Sequence, residues 1–391
     1  MTDIVRGLTG VVLAETRLSQ VDGQAGKLVI AGFALEELAP KATFEETLHL
    51  VWYDRLPARA DLDQLGDELA KARQLPGITM DVLRACAQQR LPPMDALRMA
   101  VDTLSLTDIE PGQTGRQANL RRAKQVTARL PTIIGSYARL LGGQAPVEPR
   151  SDLSHAGHFL YQYSGQEPEA ASVRGLDTYL NAVVDHGMNA STFTARVIVS
   201  TRSDLLSAVV GAIGALKGPL HGGAPGPALD TVFDLRQRAA EQGVPLESVA
   251  EAWARETVEA GERIMGFGHR VYKVRDPRAD VLGAAAARLF ERTGDQQLFE
   301  DARVVEKVFI EVLADLKPGR NLSTNVEFYT ALLLHGLGLE SSIFSSIFAM
   351  GRVGGWTAHI LEQMADDVLI RPRAHYTGEH DRKWVPVEER V

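Results

Sequence analysis

This sequence predicts a mainly α-helical protein, on three observations. Ala, Leu, Glu and Arg are abundant, and apolar residues recur at three- and four-residue spacing along most of the chain. The clearest β signal is one short stretch near the N-terminus. No alternation of strands with helices follows it, which argues against a doubly wound sheet. With 391 residues the chain is too long for one small core and suits two or three domains.

Composition narrows the class further. A chain that is 45% hydrophobic and 24% charged reads as an ordinary soluble globular protein. A net charge of -8 argues against a general nucleic-acid binder. It also means that an anionic ligand must be held by local cationic clusters, not by the field of the whole protein. The single cysteine, Cys86, cannot form an internal disulfide, which fits a reducing cytoplasm. It lies in the helical pattern "DVLRACAQQR" and reads as a buried core residue, not a nucleophile. The N-terminal "MTDIVRGLTG" has neither a basic nor an apolar signal region. No apolar run approaches the ~20 residues that span a bilayer, so no membrane partner is expected.

The elements follow in order. In "SQVDGQAGKLVI", Asp22-Gly23 lies between two short apolar segments and predicts a small hairpin. "SDLLSAVVGAIGALKG" predicts a helix with Ser203 as N-cap and Gly218 as stop. Leu205, Leu206, Val209, Val210, Ile213 and Leu216 form its apolar face. Gly211 and Gly214 should each cost about 1 kcal/mol relative to alanine, a loss that close approach of another helix would offset. "SSIFAMGRVGGWTAHILEQ" repeats the device with Gly351, Gly354, Gly355 and Ala358. Both helices read as tightly packed and nearly fully buried, and a subunit interface is a natural place for them. The polar turns at 110–115, 142–151 and 317–324 are too short for flexible linkers, so hinges should join the domains.

Three segments carry candidate chemistry. "LKGPLHGGAPG" sets His221 on a glycine-rich turn that presents a side chain to a ligand. "GFGHRVYKVRDPRA" follows His269 with Arg270, Lys273, Arg275 and Arg278, and the Asp276-Pro277 turn would aim Arg278. A planar guanidinium pairs bidentately with carboxylates, whereas the compact charge of Lys273 suits a phosphate. In "NLSTNVEFYTALLLHG", Glu327 opens an apolar helix, where desolvation would raise its pKa and strengthen it as a base. Arg352 lies in "AMGRVGGW", Arg371 and Arg373 in "LIRPRAHY", and His186 in "VVDHGMNASTFTARV". His335 and His359 sit on apolar helix faces and read as structural. No clustered metal-ligand spacing occurs, so no metal is expected. Two exposed histidines, a carboxylate and several arginines suit proton transfer next to a carbonyl in a polyanionic substrate.

Taken in order, "ALKGPLHGGA", "MGFGHRVYKVRDPRA", "NVEFY", "GRVGGWTAHILEQ" and "LIRPRA" resemble the citrate synthase family. The likeness runs from "GLTGVVLAET" to "IRPRAHYTG", nearly the whole chain. It implies an almost all-α homodimer, with a large helical domain over 1–221 and 329–391 and a small domain inserted at 222–328. It implies condensation of acetyl-CoA with oxaloacetate to give citrate and CoA, with no cofactor beyond that co-substrate. The implied catalytic residues are Glu327 as base, His221 as enolate stabiliser and His269 as the group polarising the ketone. Arg278, Arg352, Arg371 and His186 would hold oxaloacetate, with Arg371 crossing to the partner subunit's site, and Lys273 would lie near the CoA phosphates.

Three positions and one segment depart from the family pattern. Glu327 stands where the family usually has aspartate, Pro225 follows "GGA" in place of asparagine, and Gly187 replaces a frequent glutamate. "KPGRNLSTNVEFY" is a longer and more basic approach to the base. Rival readings are a 2-methylcitrate synthase using propionyl-CoA and a non-catalytic relative that binds CoA or dicarboxylates. One methylene changes preference by only ~1–3 kcal/mol, so the acyl group is open at this level.

Overall fold

The expected hairpin forms, and a further strand extends it. β1 (Ser19–Asp22) pairs antiparallel with β2 (Lys27–Ile30), Ser19 opposite Ile30 and Asp22 opposite Lys27. Asp22 closes the turn, its Oδ1 accepting the N–H groups of Gln24 at 3.0 Å and Ala25 at 2.9 Å. Ala31 and Gly32, at φ 44° and 88°, then make a two-residue turn into β3 (Phe33–Ala34). The sequence hides β3 because two residues leave no alternation to read. The computed structural model of the protein describes residues 4–8, 10–107, 112–221, 225–269, 271–293, 295–320 and 322–390. Arg270 and the turn Gly222-Gly223-Ala224 lie outside them, as does the side chain of Pro225.

Every other regular element among the described residues is helical, in agreement with the composition. The first half holds α1 (Leu35–Leu38), α2 (Phe44–Tyr53), α3 (Arg59–Ala72), α4 (Gly77–Gln88), α5 (Pro93–Asp102), α6 (Arg116–Leu141), α7 (His155–Ser164) and α8 (Ala170–Val183). The second half holds α9 (Ala190–Ser200), α10 (Leu205–Leu216), α11 (Pro225–Gln242), α12 (Leu246–Glu259), α13 (Pro277–Thr293), α14 (Gln296–Leu316), α15 (Val326–Gly336) and α16 (Phe344–Asp366). α6 is central to one group, packed by α3, α4, α5, α7 and α16. α12 and α14 pack together with α11, while α13 lies between α15 and α8.

Capping and close packing refine two expectations. The N-cap of α10 is Asp204, not Ser203: its Oδ1 accepts the Ser207 N–H at 2.9 Å. The carboxylate one residue further on has the better reach to the free N–H groups of the first turn. A methyl on Gly211 would lie 2.2 Å from Ile198 Cδ1, so α9 accounts for this glycine. Gly214 is exposed, and a methyl there would have only Arg98 Cδ nearby, at 3.9 Å. α10 is therefore not fully buried within one chain: Leu206 and Val210 are half-covered. α16 is buried along most of its length, and its glycines admit neighbours closely. Methyl groups on Gly351 and Gly355 would lie 2.7 Å from Val183 Cγ2 and 2.1 Å from the Val184 carbonyl oxygen.

Candidate active site

Two helix N-termini, two loops and the middle of α16 converge on a cavity of about 430 Å³. His186, His221, His269, Arg278, Glu327 and Arg352 all line it. The loop before α15 is tied to the His269 loop by an antiparallel bridge between Phe267 and Thr324. Gly268 N–H donates to the Ser323 carbonyl at 2.8 Å, and Asn325 N–H to that of Gly266 at 2.9 Å. Residues almost sixty apart in sequence are thereby held as one unit.

Each imidazole has a defined support. The Ser191 N–H, in the first turn of α9, donates to His221 Nε2 at 3.3 Å, and Ser191 Oγ lies 2.8 Å from the same nitrogen. An amide N–H can only donate, so Nε2 accepts and the neutral ring carries its proton on Nδ1. His269 has the opposite tautomer. Its Nδ1 accepts the N–H groups of Val271 at 3.0 Å and Tyr272 at 3.2 Å, which leaves the proton on Nε2. Burial, then the positive field of a nearby arginine (Arg352 and Arg278 respectively), lowers the pKa of both rings to about 4. Both are therefore neutral hydrogen-bond donors at pH 7, and both are half-buried instead of exposed as the sequence suggested. His186 Nε2 lies 3.1 Å from the Tyr272 hydroxyl, and burial pushes this ring well below the usual histidine range.

The charged groups are arranged unequally. Arg278 is 3% exposed and grips Asp276 with Nε at 3.0 Å and Nη2 at 2.7 Å, so the Asp276-Pro277 turn does aim the guanidinium. Arg352 is 1% exposed, donates from Nε to the Val183 carbonyl and lies 4.6 Å over the Phe348 ring. Burial pulls its pKa down to about 10, against a smaller opposing effect of Asp185. Glu327 stands in the first turn of α15, capped by Asn325. Burial raises its carboxyl to about 7, while Arg278 works in the other direction. The desolvation expected from the apolar sequence around Glu327 is thus present.

Lys273 and Arg371 do not line the cavity: both side chains are exposed, Arg371 on the C-terminal extension. Cations to which the sequence assigned no ligand line a neighbouring space instead. Arg263, Lys317 and Arg320 line an adjoining cavity of about 420 Å³ that shares Phe267 and His269 with the first. Other missed groups are supports: Ser191, Tyr272 and Trp356, whose indole N–H donates to Ser191 Oγ at 3.0 Å. All three sit inside quoted motifs, but only the fold shows which way they bond. Gly187, the departure from glutamate, has φ 60°, a left-handed conformation that glycine adopts freely. His359 is fully buried between Asp185 and Arg196, and His335 is half-buried against Phe233, packed placements of the kind their apolar helix faces predict. Cys86 is buried, and burial raises its thiol pKa. Trp384 is 79% exposed, with Arg390 stacked on it.

Comparison with known proteins places this chain in a family. The family model described as citrate synthase, C-terminal domain, matches residues 7–373. A citrate synthase of Haloferax volcanii is 43% identical over 391 residues, covering 99% of both chains. A 2-methylcitrate synthase of Mycobacterium tuberculosis is 35% identical over 384 residues, covering 98% of this chain and 93% of its own. The solved ternary complex of Thermoplasma acidophilum citrate synthase with carboxymethyl coenzyme A and oxaloacetate superposes with a TM-score of 0.88 at 29% identity. That match covers 99% of this chain and 100% of the other. The chain belongs to the citrate synthase family.

Proposed function

We propose that this protein condenses acetyl-CoA with oxaloacetate and water to give citrate and CoA. One observation carries the reading: a carboxyl held at about 7 lines the same cavity as two neutral imidazoles and two buried guanidinium groups. A carboxylate of that basicity, Glu327, takes a proton from the acetyl methyl group. It cannot do so unaided, because a thioester is a very weak carbon acid. A donated hydrogen bond from His221 stabilises the enolate oxygen as charge develops there. The Nε2–H of His269 polarises the ketone of oxaloacetate while the enolate carbon attacks it. Water then cleaves the citryl thioester.

Oxaloacetate brings Arg352 a carboxylate in place of a neutral carbonyl, and adds a second anion to Arg278 beside Asp276. Arg352 and Arg278, with His186, take its carboxylates, and Arg371 reaches the site from the partner subunit of a homodimer. The half-covered Leu206 and Val210 of α10 support an interface there. The small domain, 222–328, closes on the large one and excludes water. CoA lies in the adjoining cavity, its phosphates met by Arg263, Lys317 and Arg320, with the exposed Lys273 as a further cation for them. The reaction needs no other cofactor, and the single cysteine supports a cytoplasmic setting.

The likeness to a 2-methylcitrate synthase supports propionyl-CoA as the second choice of acyl donor. Thiol release with oxaloacetate and a panel of acyl-CoA thioesters tests both readings. The highest kcat/KM should be with acetyl-CoA. A preference for propionyl-CoA would replace the first reading by the second, and no release with any thioester would remove both.

A further inference from the structure

The N-terminal sheet gives no residue to the cavity lining, yet it is bonded to the supports of two of its imidazoles. On one side, Ser19 Oγ of β1 donates to Asp185 Oδ2 at 2.5 Å and accepts the Gly187 N–H at 2.8 Å. One hydroxyl thus joins the residues immediately before and after His186. Asp185 is fully buried and also bonded by His359 Nε2 at 3.2 Å, so this anchor point is itself fixed.

On the other side, the hairpin turn meets the backbone beyond His269. The Gly23 carbonyl accepts the Lys273 N–H at 2.8 Å. A methyl on Gly23 would lie 2.2 Å from the Val271 carbonyl oxygen and 2.7 Å from its carbon, so only glycine fits. The segment braced in this way supplies the two N–H groups that set the tautomer of His269. Its Tyr272 hydroxyl also reaches His186, whose ring centroid lies 5.6 Å from that of His269.

We infer that the hairpin is a positioning element for the keto-acid subsite. Ser19 and Gly23 set the placing of His186 and His269 relative to each other and hold His269 in its Nε2–H form. The inference rests on the condensation reading. It assigns these two residues no contact with substrate: they act through Asp185, Gly187 and the 271–273 backbone.

The experiment compares Ser19→Ala, Ser19→Thr and Gly23→Ala in the full chain, with Gln20→Ala, exposed on the same strand, as control. Oxaloacetate affinity is measured by calorimetry and turnover by CoA release. The His269 ring nitrogens are observed by 15N resonance, assigned against His269→Ala. Displacement of an aligned group costs roughly 10- to 100-fold in rate, so Ser19→Ala should lose that factor in kcat/KM for oxaloacetate while the KM for acetyl-CoA stays. Ser19→Thr, which keeps the hydroxyl, should restore it. Gly23→Ala should shift the His269 resonances from one tautomer towards a mixture. Equal losses in the Ala and Thr variants, or in Gln20→Ala, overturn the inference, as do unchanged affinity and resonances. The Ser19 pair decides alone where Gly23→Ala does not fold. A wild-type chain that releases no CoA sinks both readings. An active wild type with unaltered hairpin variants sinks this one only.

Discussion

The indole N–H of Trp356 donates to Ser191 Oγ at 3.0 Å, and that hydroxyl lies 2.8 Å from His221 Nε2. An indole N–H has no acceptor character, so it occupies one lone pair of the hydroxyl and limits how the O–H can turn. Ser191→Ala removes the bridge and leaves the fully buried indole N–H unbonded. Chemical denaturation should register a loss of about 1–3 kcal/mol. CoA release should slow while oxaloacetate affinity holds, because the proposed mechanism assigns His221 to the enolate and not to the keto acid. Trp356→Phe removes donor and need together, so its stability loss should be the smaller one. Equal losses in both variants would separate the indole from the relay.

Glu327 governs a pH dependence of opposite sign in rate and in stability. Its carboxyl is raised from 4.5 to about 7. At limiting oxaloacetate, kcat/KM should rise with pH through about 7, as the base ionises. Stability runs the other way. Between 4.5 and about 7 the native state keeps a proton that the unfolded chain has released. The contribution is therefore complete below 4.5 and is lost as pH rises through about 7. Glu327→Gln should abolish CoA release, keep oxaloacetate binding, and exceed the wild type in stability above pH 7 by up to about 3 kcal/mol. Urea midpoints that move in parallel for both proteins between pH 5 and pH 8 would remove the buried-carboxyl account.

Much of this site is legible in the sequence because its residues occupy short motifs whose turn chemistry is local. His221 and His269 adjoin glycines, and Asp276-Pro277 directs Arg278. What cannot be read is direction. Lys273 and Arg371 show as charges in the sequence, but both are exposed in the single chain and outside the cavity lining. Arg263, Lys317 and Arg320 surround a cavity only because the loop before α15 folds back on the Gly266–Gly268 turn. Ser191, Trp356 and Ser19 act by hydrogen bonds over separations of 30 to 168 residues, which no periodicity encodes. The helical class, by contrast, is written in every turn of the pattern, and the Asp22-Gly23 hairpin rests on a side-chain bond two residues long.

Two adjacent glycines of α16 should respond differently to one methyl group. On Gly355 it would lie 2.1 Å from the Val184 carbonyl oxygen and 2.9 Å from Asp185 Oδ1, backbone and buried carboxylate that cannot swing aside. On Gly354 it would lie 2.7 Å from Leu48 Cδ2, the end of a flexible side chain. Overpacking costs typically ~1–3 kcal/mol, so Gly354→Ala should fall in that range and Gly355→Ala above it. Gly355→Ala should also weaken oxaloacetate binding, because His186 follows directly on the displaced residues. Denaturant midpoints and calorimetry on the pair check the order, and equal effects would show that helix spacing alone sets the cost.

The two buried arginines make the sharpest contrast. Arg278 shares its charge with Asp276, which is 1% exposed and would be stranded by Arg278→Met. Breaking a buried pair by removing one partner costs about 3–5 kcal/mol. Among the described residues Arg352 has no comparable partner: its Nε bonds a neutral carbonyl, and burial works against its charge. Arg352→Met should therefore leave the substrate-free protein as stable as the wild type, or more so. Both variants should lose oxaloacetate, since truncating one side of a buried charged contact costs roughly 2–5 kcal/mol, or 30- to several-thousand-fold in affinity. Thermal unfolding with and without oxaloacetate reads all of this at once. Saturation near 100 times Kd should add about 2.7 kcal/mol to the wild type and nothing to either variant. An Arg352→Met protein that melts as early as Arg278→Met, or that still rises with oxaloacetate, would show that Arg352 is a structural ion and not the group that waits for the substrate's carboxylate.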